Sequence, residues 1–397
     1  MTDTRLPDVR GRGFPSRTAL ADAVHWLDAR TSAPLLAEEV AVATATGRVL
    51  AAPATAHADL PPADRALRDG VAVMAEATLG AGGYNPILLP AGSAAPVSAG
   101  EPLPPGTDAV LPVEGAQASP LCVEVLDALP AGSGVERRGE QARSGATLLP
   151  AGRVLRPQDV GLLAALGRET VAVVRRPVVR ILLAGGPRDG READGAMLAA
   201  LVARDGGVVD LRGPLERAAL TAALAEPGAD LILACGRTGL GADDIAPLAL
   251  ADAGTLALHG VALRPGDSAA LGSVGAVPVC LLPGEPAACA TVYDLLAGRA
   301  VRRLGGRGAE PPYAAVRVRT ARKLVSEIGF AEIYRVRLVD GLAEPVASAA
   351  VPGLAATARA DGFVLIPAES EGVPEGAEVL VRLYEAPPVY AAAPHAL

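Results

Sequence analysis

The spacing of apolar residues changes several times along the chain and predicts where helices and strands lie. In residues 18–30 the apolar side chains of Leu20, Val24 and Leu27 recur at i, i+4 and i+7. This spacing places them on one face of a helix. The segment at 36–40 is predicted to be a short strand. The first predicted elements are therefore an amphipathic helix and a strand.

Proline and glycine become frequent between residues 55 and 137, and the apolar runs there shorten. Short apolar runs between turn residues are typical of strands, so this range is predicted to be a small β-rich domain. Helical patterns are predicted on both sides of it, at 45–51 before it and at 147–155 and 159–166 after it. The β-rich domain is thus predicted to be inserted into an elongated helical domain.

Apolar runs of strand length alternate with helical patterns from residue 177 to residue 305. Strands are predicted at 178–184, 208–211, 230–234 and 276–282, and helices at 197–204, 215–225, 245–253 and 286–296. Such alternation indicates βαβ units, and therefore a mostly parallel sheet with helices on both faces.

After residue 306 the apolar residues alternate with a period of two, which predicts a separate β domain. Its strands are predicted at 313–320, 333–339, 362–366 and 379–383. The predicted fold class is multidomain α/β plus β. Its parts are an elongated N-terminal helical domain (1–54 and 138–176), a β-rich insert (55–137), a central three-layer α/β/α domain (177–305) and a C-terminal β-barrel-like domain (306–397).

Composition and charge limit the possible partners. Half of the residues are apolar and 20% are charged, with a net charge of −8. An acidic chain lacks the basic face that binds nucleic acid, although a few amides and an arginine still suffice for a small anion. A membrane-spanning helix needs about 20 consecutive apolar residues, and no such run or apolar signal core is present. We therefore expect no nucleic-acid partner, no membrane insertion and a cytoplasmic location.

The cysteines and histidines suggest no metal or disulfide site from their spacing. Cys122, Cys235, Cys280 and Cys289 form no C-x-x-C pair, and the four histidines are scattered. A zinc knuckle or a disulfide framework requires closer, regular spacing. We interpret all these residues as structural.

Glycine-containing loops are predicted where strands of the central domain end, at 185–187, 235–244 and 282–286. Ligands of open α/β sheets bind beyond the carboxyl ends of the strands, and glycine lets the backbone approach them. Each loop alone is more typical of a tight turn than of a ligand site, with Asp243 as a helix N-cap. Because three such loops share one sheet edge, we predict that this edge binds a phosphate or a pterin.

A series of short motifs runs through nearly the whole chain. They lie at 60–73, 99–104, 138–140, 184–187, 235–241, 264–267, 282–286 and 352–354. Their order and spacing resemble the molybdopterin molybdenumtransferases of molybdenum cofactor biosynthesis, the MoeA and gephyrin E-domain type of protein.

This resemblance implies an enzyme that inserts molybdate into adenylylated molybdopterin and releases AMP, with Mg²⁺ or a similar divalent metal. It implies a homodimer whose active site lies between subunits, and a molybdoenzyme or a cofactor-biosynthesis protein as a further partner. Asp69 and Arg264 match the expected catalytic positions, and Asp69, Asp243 and Asp244 the expected metal ligands. The expected pterin-binding residues are Gly185, Gly186, Gly236, Arg237, Thr238, Gly239, Gly241, Pro265, Gly266, Pro283, Gly284 and Glu285.

Several polar residues of the family are replaced in this chain. Gly186 and Pro187 stand where the family has an aspartate–glutamate pair, and Gly239 replaces a serine. Asp267 replaces a lysine, and Glu285 replaces an asparagine. Losing two carboxylates that position metal and oxyanion is expected to slow the reaction by orders of magnitude.

The sequence therefore leaves two functions open. The first is the molybdenumtransferase reaction itself, supported by the order of the motifs and by Asp69. The second is a catalytically impaired paralogue that binds or carries molybdopterin, or the finished cofactor, for a specific molybdoenzyme. The retained glycines and the replaced polar residues are the pattern that the second function predicts, whereas the order of the motifs makes the molybdenumtransferase reaction the predicted family function.

Overall fold

A computed structural model describes residues 6, 8–90, 92–119, 121–185, 192–347 and 353–385. Close contacts divide the chain into two compact units. One consists of the described parts of 1–38 and 174–397, and the other of the described parts of 39–173. The four-domain division stays a prediction.

Within these residues short helices and strands alternate. The helices are α1 (Leu20–Arg30), α2 (Pro157–Ala165), α3 (Asp194–Arg204), α4 (Arg217–Ala225), α5 (Ala246–Ala253), α6 (Pro286–Val292), α7 (Gly298–Leu304) and α8 (Leu354–Arg359). The strands are β1 (Ala37–Ala41), β2 (Ala54–Thr55), β3 (Arg65–Ala66), β4 (Gly70–Val73), β5 (Ile87–Pro90), β6 (Ala94–Val97), β7 (Ala109–Pro112), β8 (Ala116–Ala118), β9 (Cys122–Val125), β10 (Val135–Glu136), β11 (Thr147–Leu149), β12 (Thr170–Val174), β13 (Val178–Ala184), β14 (Val208–Leu215), β15 (Leu231–Cys235), β16 (Thr255–His259), β17 (Leu263–Arg264), β18 (Ala270–Val274), β19 (Val277–Leu282), β20 (Ala314–Thr320), β21 (Leu324–Val325), β22 (Ala331–Val339), β23 (Leu342–Pro345), β24 (Gly362–Ile366), β25 (Gly372–Val373) and β26 (Glu378–Leu383).

The unit of residues 39–173 is built from small sheets. In one sheet β4 lies between β6 and β7, and in another β9 lies between β5 and β8. Apolar side chains of both sheets, including Val73, Leu111 and Val125, share a core. A second core packs Leu155 against Leu163 of α2. The predicted β-rich region and the predicted helix at 159–166 are thus observed.

The helices predicted at 45–51 and 147–155 are wrong, because both segments are extended or turn. Gly47 and Gly152 have φ of +78° and +79°, and the left-handed region ends a right-handed helix. Val49 forms an antiparallel bridge with Val154. Leu50 forms a further isolated bridge with Val173, and Thr147–Leu149 forms β11.

The central sheet has the strand order β14-β13-β15-β19-β18-β16. β14, β13, β15 and β19 are parallel, and β18 and β16 add an antiparallel edge. Side chains of α1, α3, α6 and α7 pack in one core and those of α4 and α5 in another. The predicted three-layer α/β/α domain is confirmed, while the β16–β18 hairpin was not predicted.

The last strands form a closed barrel in the order β22-β23-β20-β26-β24, in which β24 pairs again with β22. This confirms the predicted C-terminal β domain. β17 pairs in parallel with β22, with Arg264 opposite Glu332. The segment around Arg264 is therefore attached to the barrel.

A helix that crosses a lipid bilayer needs about 20 mostly apolar residues. Among the described residues, no helix has both the length and the apolar character that crossing a membrane requires.

Candidate ligand-binding site

A cavity of about 870 Å³ lies where β13, β15 and β19 end. Leu183 pairs with Cys235, and Cys235 pairs with Leu282, so the loops that follow these strands leave the sheet side by side. Gly185 of the first loop and Gly284 of the third line the cavity. The predicted meeting of the three loops at one sheet edge is therefore observed for their described residues.

The backbones of these loops pack so closely that a side chain at two of their glycines would make short contacts. Gly236 has a φ of +92°, and a Cβ there would lie 3.1 Å from the carbonyl oxygen of Ala184. A Cβ at Gly284 would lie 3.0 Å from Cα of Gly236. Arg237 itself has a positive φ of 54°, which is uncommon for a residue with a side chain. The loop after β15 is thus held in a conformation that depends on glycine.

Polar contacts fix the interior of this loop. The Thr238 side chain is buried, and its Oγ1 lies 3.0 Å from Oγ of Ser268. Nε2 of His259 donates to the carbonyl oxygen of Thr238 at 2.9 Å. Burial lowers the pKa of His259, so the neutral imidazole is favoured as donor. These contacts hold the cavity wall in place.

The acidic residues after this loop have different surroundings. Oδ2 of Asp244 accepts a hydrogen bond from the Gly241 amide at 2.6 Å, and Asp244 lines the cavity. Asp243 is exposed. The interpretation of Asp243 as an N-cap is wrong, because α5 begins at Ala246 and Ile245 precedes it. Of these two acids, both predicted metal ligands, Asp244 lies on the cavity wall and Asp243 does not.

Most of the charge on the cavity wall is negative. The charged residues among the described lining residues are Glu192, Asp194, Asp244 and Glu285, against Arg237. Burial is the main cause that raises the pKa of Asp194 to about 6. Oε2 of Glu285 accepts from an amide of α6 at 2.7 Å and caps that helix. An anionic ligand in this cavity therefore needs an additional cation.

A second cavity of about 630 Å³ lies beside the barrel and is lined by Arg264, Pro265 and Gly266. It shares Pro283 and Glu285 with the first cavity. The two predicted groups of pterin-binding residues therefore line adjoining cavities.

Both charged residues of the 264–267 turn have partners. The Arg264 guanidinium forms an ion pair with Glu327 and lies 3.7 Å from the ring centroid of Phe330. Asp267 pairs with Arg17 at 2.9 Å. The negative charge at position 267 is thus compensated within the chain.

Some predicted residues are not found on the walls of these cavities. Gly241 and Asp243 are absent from the walls of both cavities among the described residues. Gly186 lies outside the described residues, as do Pro187 and Pro352 of the motifs. Asp69 belongs to the unit of residues 39–173, where it is exposed and its Oδ1 accepts from the Ala99 amide at 2.8 Å.

Sequence reasoning missed several residues of the cavity wall. Glu192 and Asp194 precede and open α3, and Cys235, which begins the predicted 235–244 loop but was interpreted as structural, is the last residue of β15. The rule that ligands bind beyond the ends of parallel strands would have included them. Ser268 lies on the wall because its turn folds back onto Thr238, and no sequence pattern indicates that contact.

Comparison with known families identifies the class of protein that this fold and cavity define. Residues 165–303 match the family described as a probable molybdopterin binding domain. Residues 18–167 match the MoeA N-terminal region (domain I and II), and residues 317–384 match the MoeA C-terminal region (domain IV). The chain is thus a molybdopterin-binding-domain protein with both flanking regions of the MoeA type.

Individual relatives are similar to this chain over most of their length. The chain is 31% identical to molybdopterin molybdenumtransferase 2 of Mycobacterium tuberculosis, covering 86% of this chain and 94% of the relative. It is 29% identical to a putative molybdopterin biosynthesis protein of Methanocaldococcus jannaschii, covering 87% and 92%. A crystal structure of a molybdopterin biosynthesis protein from Pyrococcus horikoshii has a TM-score of 0.77 at 27% identity, covering 94% and 100%. The chain belongs to the MoeA family of molybdopterin molybdenumtransferases.

Proposed function

We propose that the protein inserts molybdate into adenylylated molybdopterin and releases AMP during molybdenum cofactor biosynthesis. One observation carries this proposal: the glycine loops after β13, β15 and β19 together line one large cavity. Family membership supports it, because relatives from Mycobacterium tuberculosis and Nostoc are named molybdopterin molybdenumtransferases.

The cavity offers separate groups for the parts of this substrate. Arg237 is the cation for the phosphates. Its side chain lies over Gly185, since a Cβ added at Gly185 would be only 2.7 Å from Nε of Arg237. Guanidinium groups bind phosphate oxygens in pairs of hydrogen bonds. Thr238 lines the wall, and Ser268 lies beside it.

The wall also fits a divalent metal. Mg²⁺ is commonly held by one or two carboxylates together with substrate phosphates, and Asp244 supplies such a carboxylate on the wall. The Gly241 amide donates a hydrogen bond to Oδ2 of Asp244. Oδ1 of Asp244 is then the oxygen that would bind the cation. A bound Mg²⁺ would supply positive charge to the phosphate and molybdate oxygens.

We further propose that the protein is a cytoplasmic homodimer in which Asp69 of the partner subunit faces this cavity. Family resemblance supports this assembly, and the position of Asp69 is compatible with it, because the side chain is exposed. A carboxylate from the partner would add a metal ligand or an acid–base group to the acidic wall.

A second function has its own supporting observation. Arg264, the cation retained in the 264–267 turn, is already paired with Glu327 and lies 3.6 Å from Glu332. Two carboxylates beside one guanidinium offset its positive charge, so its attraction for phosphate or molybdate is weaker. A paralogue that binds or carries the pterin for a molybdoenzyme would need the glycine cavity but not a free cation at this position.

AMP release separates these functions. The purified protein is incubated with adenylylated molybdopterin, molybdate and Mg²⁺, and AMP is measured over time. Asp69→Asn keeps an oxygen acceptor for the Ala99 amide but removes the charge. Asp64→Asn is the matched control, because Oδ1 of Asp64 accepts from the Arg138 amide at 2.7 Å in the same unit.

Each outcome has a distinct meaning. Turnover that falls at least 100-fold in Asp69→Asn, about 2.7 kcal/mol of transition-state stabilisation, and stays unchanged in Asp64→Asn supports the enzyme. Tight pterin binding without AMP release supports the carrier. Equal turnover in both variants would reject the role of Asp69, and absence of pterin binding would reject both functions.

A further inference from the structure

A second set of chemical groups lies at the floor of the first cavity and is not used by the proposed reaction. Cys235 ends β15, Cys289 lies in α6 and Asp194 opens α3. The two Sγ atoms are 3.5 Å apart. One ligand atom from each of the three side chains lies within 4.8 Å of the others. Three different elements therefore bring together two thiols and a carboxylate.

The spacing matches that of ligands around one small metal ion. Zn²⁺ binds thiolate sulfur at about 2.3 Å, so a tetrahedral arrangement separates two sulfurs by about 3.8 Å. The observed separation of 3.5 Å differs from this by only a few tenths of an ångström. A disulfide would instead require the sulfurs to approach to about 2.05 Å, and it would leave the carboxylate without a role.

The carboxylate gives independent evidence that a ligand is missing from its surroundings. Oδ1 of Asp194 is buried and accepts no hydrogen bond from the residues that the structure describes, although the carboxyl group as a whole interacts with the Cys235 thiol. An unpaired buried carboxylate oxygen costs free energy, and native proteins nearly always satisfy such an atom. A cation between this oxygen and the two sulfurs would satisfy it.

Access and selectivity follow from the position of the three side chains. Cys235 and Asp194 line the cavity, whereas Cys289 lies behind them and is fully buried. An ion held by all three would have its remaining coordination position toward the cavity. Thiolate ligands favour Zn²⁺-like ions over Mg²⁺, which prefers oxygen.

We propose that Cys235, Cys289 and Asp194 bind a thiophilic divalent cation of the Zn²⁺ class at the floor of the cavity. The site has three protein ligands and one open position, the arrangement of zinc sites that also bind a water or a ligand. The proposal does not depend on the molybdenumtransferase reaction, because the metal is held by protein side chains alone.

Cobalt(II) reports on such a site directly, because thiolate coordination gives charge-transfer absorption. Full-length protein is purified with chelator and reductant, freed of both, and titrated with Co²⁺ and then Zn²⁺ without pterin or molybdate. We expect one Co²⁺ per chain, a thiolate band that Zn²⁺ abolishes, and a matching stoichiometry by mass spectrometry of the metal. Cys280→Ser is the matched control, because Cys280 is also fully buried but lies outside the cluster.

The variants define what supports and what overturns the proposal. Cys235→Ser and Cys289→Ser should each leave about half the band and weaken Co²⁺ binding at least tenfold, and Asp194→Asn should weaken binding with the band retained. Cys280→Ser should bind like the unchanged protein. Circular dichroism checks that each variant is folded. If a cysteine variant is unfolded, the number of thiolate ligands is taken from the band intensity of the unchanged protein with bound Co²⁺.

A thiolate band that is absent, or that keeps its full intensity in both the Cys235→Ser and the Cys289→Ser variants, would overturn the site. So would a Cys235–Cys289 disulfide, seen as two fewer titratable thiols after purification without reductant. Because no pterin is present, these results leave the proposed function untouched, and loss of AMP release would leave the metal site untouched.

Discussion

The conformation of the loop after β15 gives a specific prediction about ligand binding in the cavity. Replacing Gly236 by alanine places a Cβ on a backbone with a φ of +92° and 3.1 Å from the carbonyl oxygen of Ala184. The left-handed conformation costs a residue with a side chain about 1–2 kcal/mol. The short contact adds to this and forces the loop away from Ala184 by a few tenths of an ångström.

Gly228→Ala is a matched control for this substitution. Its φ is +99°, and a Cβ there meets nothing within 4 Å. Both variants should therefore lose about 1–2 kcal/mol of unfolding free energy from backbone strain. Only Gly236→Ala changes the cavity wall, so only that variant should bind molybdopterin more weakly, by tenfold or more, about 1.4 kcal/mol.

Urea unfolding followed by circular dichroism measures the stability of both variants, and isothermal titration calorimetry measures their molybdopterin affinity. A Gly236→Ala variant that binds molybdopterin as tightly as Gly228→Ala would refute the proposed role of this loop. Equal stability of Gly228→Ala and the unchanged protein would refute the estimate of strain.

Further predictions concern pH, a sheet contact and a buried ion pair. Burial lowers the folded-state pKa of His259, so the unfolded chain binds more protons as the pH falls through about 6.5, and stability is lost there. Between pH 7 and pH 5, urea unfolding should show that the unchanged protein loses more unfolding free energy than His259→Gln does. Equal losses in the two proteins would contradict this. A Cβ at Gly70 would lie 1.9 Å from the carbonyl oxygen of Leu111. Gly70→Ala should cost on the order of 3 kcal/mol or prevent folding of the 39–173 unit, and a normal unfolding midpoint would contradict that contact. Asp205 is fully buried and accepts from Nη1 of Arg302 at 2.7 Å. Asp205→Asn leaves that guanidinium buried without its countercharge and should cost about 3–5 kcal/mol, which chemical denaturation would detect, whereas a loss below about 1 kcal/mol would show that the pair is not needed.

The central domain was predictable because its pattern is strong and local. The apolar run predicted at 178–184 coincides with β13, since a strand buried on both faces needs continuous apolar residues. The alternation of such runs with helical patterns determines the mostly parallel order of the sheet. The glycine loops were predictable for the same reason, because they follow those strands directly.

The extended and turn conformations of residues 45–51 and 147–155 were not predicted from the sequence. The segments at 45–51 and 147–155 contain alanine, leucine, threonine and valine in patterns that fit either a helix or an extended strand. Gly47 and Gly152 decide the outcome through their positive φ, and a glycine does not reveal its φ in the sequence.

Contacts between residues that are far apart in the sequence were also not predictable. Cys235 and Cys289 are 54 positions apart, and neither belongs to a recognisable metal motif. Their meeting depends on how α6 packs beside the end of β15. Likewise, the acid that fixes the loop is Asp244 and not Asp243, because α5 begins two residues after Asp244.

A crystal structure of the protein with bound molybdopterin tests the central claim most directly. We predict that the pterin phosphate lies in the first cavity, against the loop of Gly236 and Arg237 and within reach of Gly284. Pterin density at another surface, with this cavity filled only by solvent, would contradict the account.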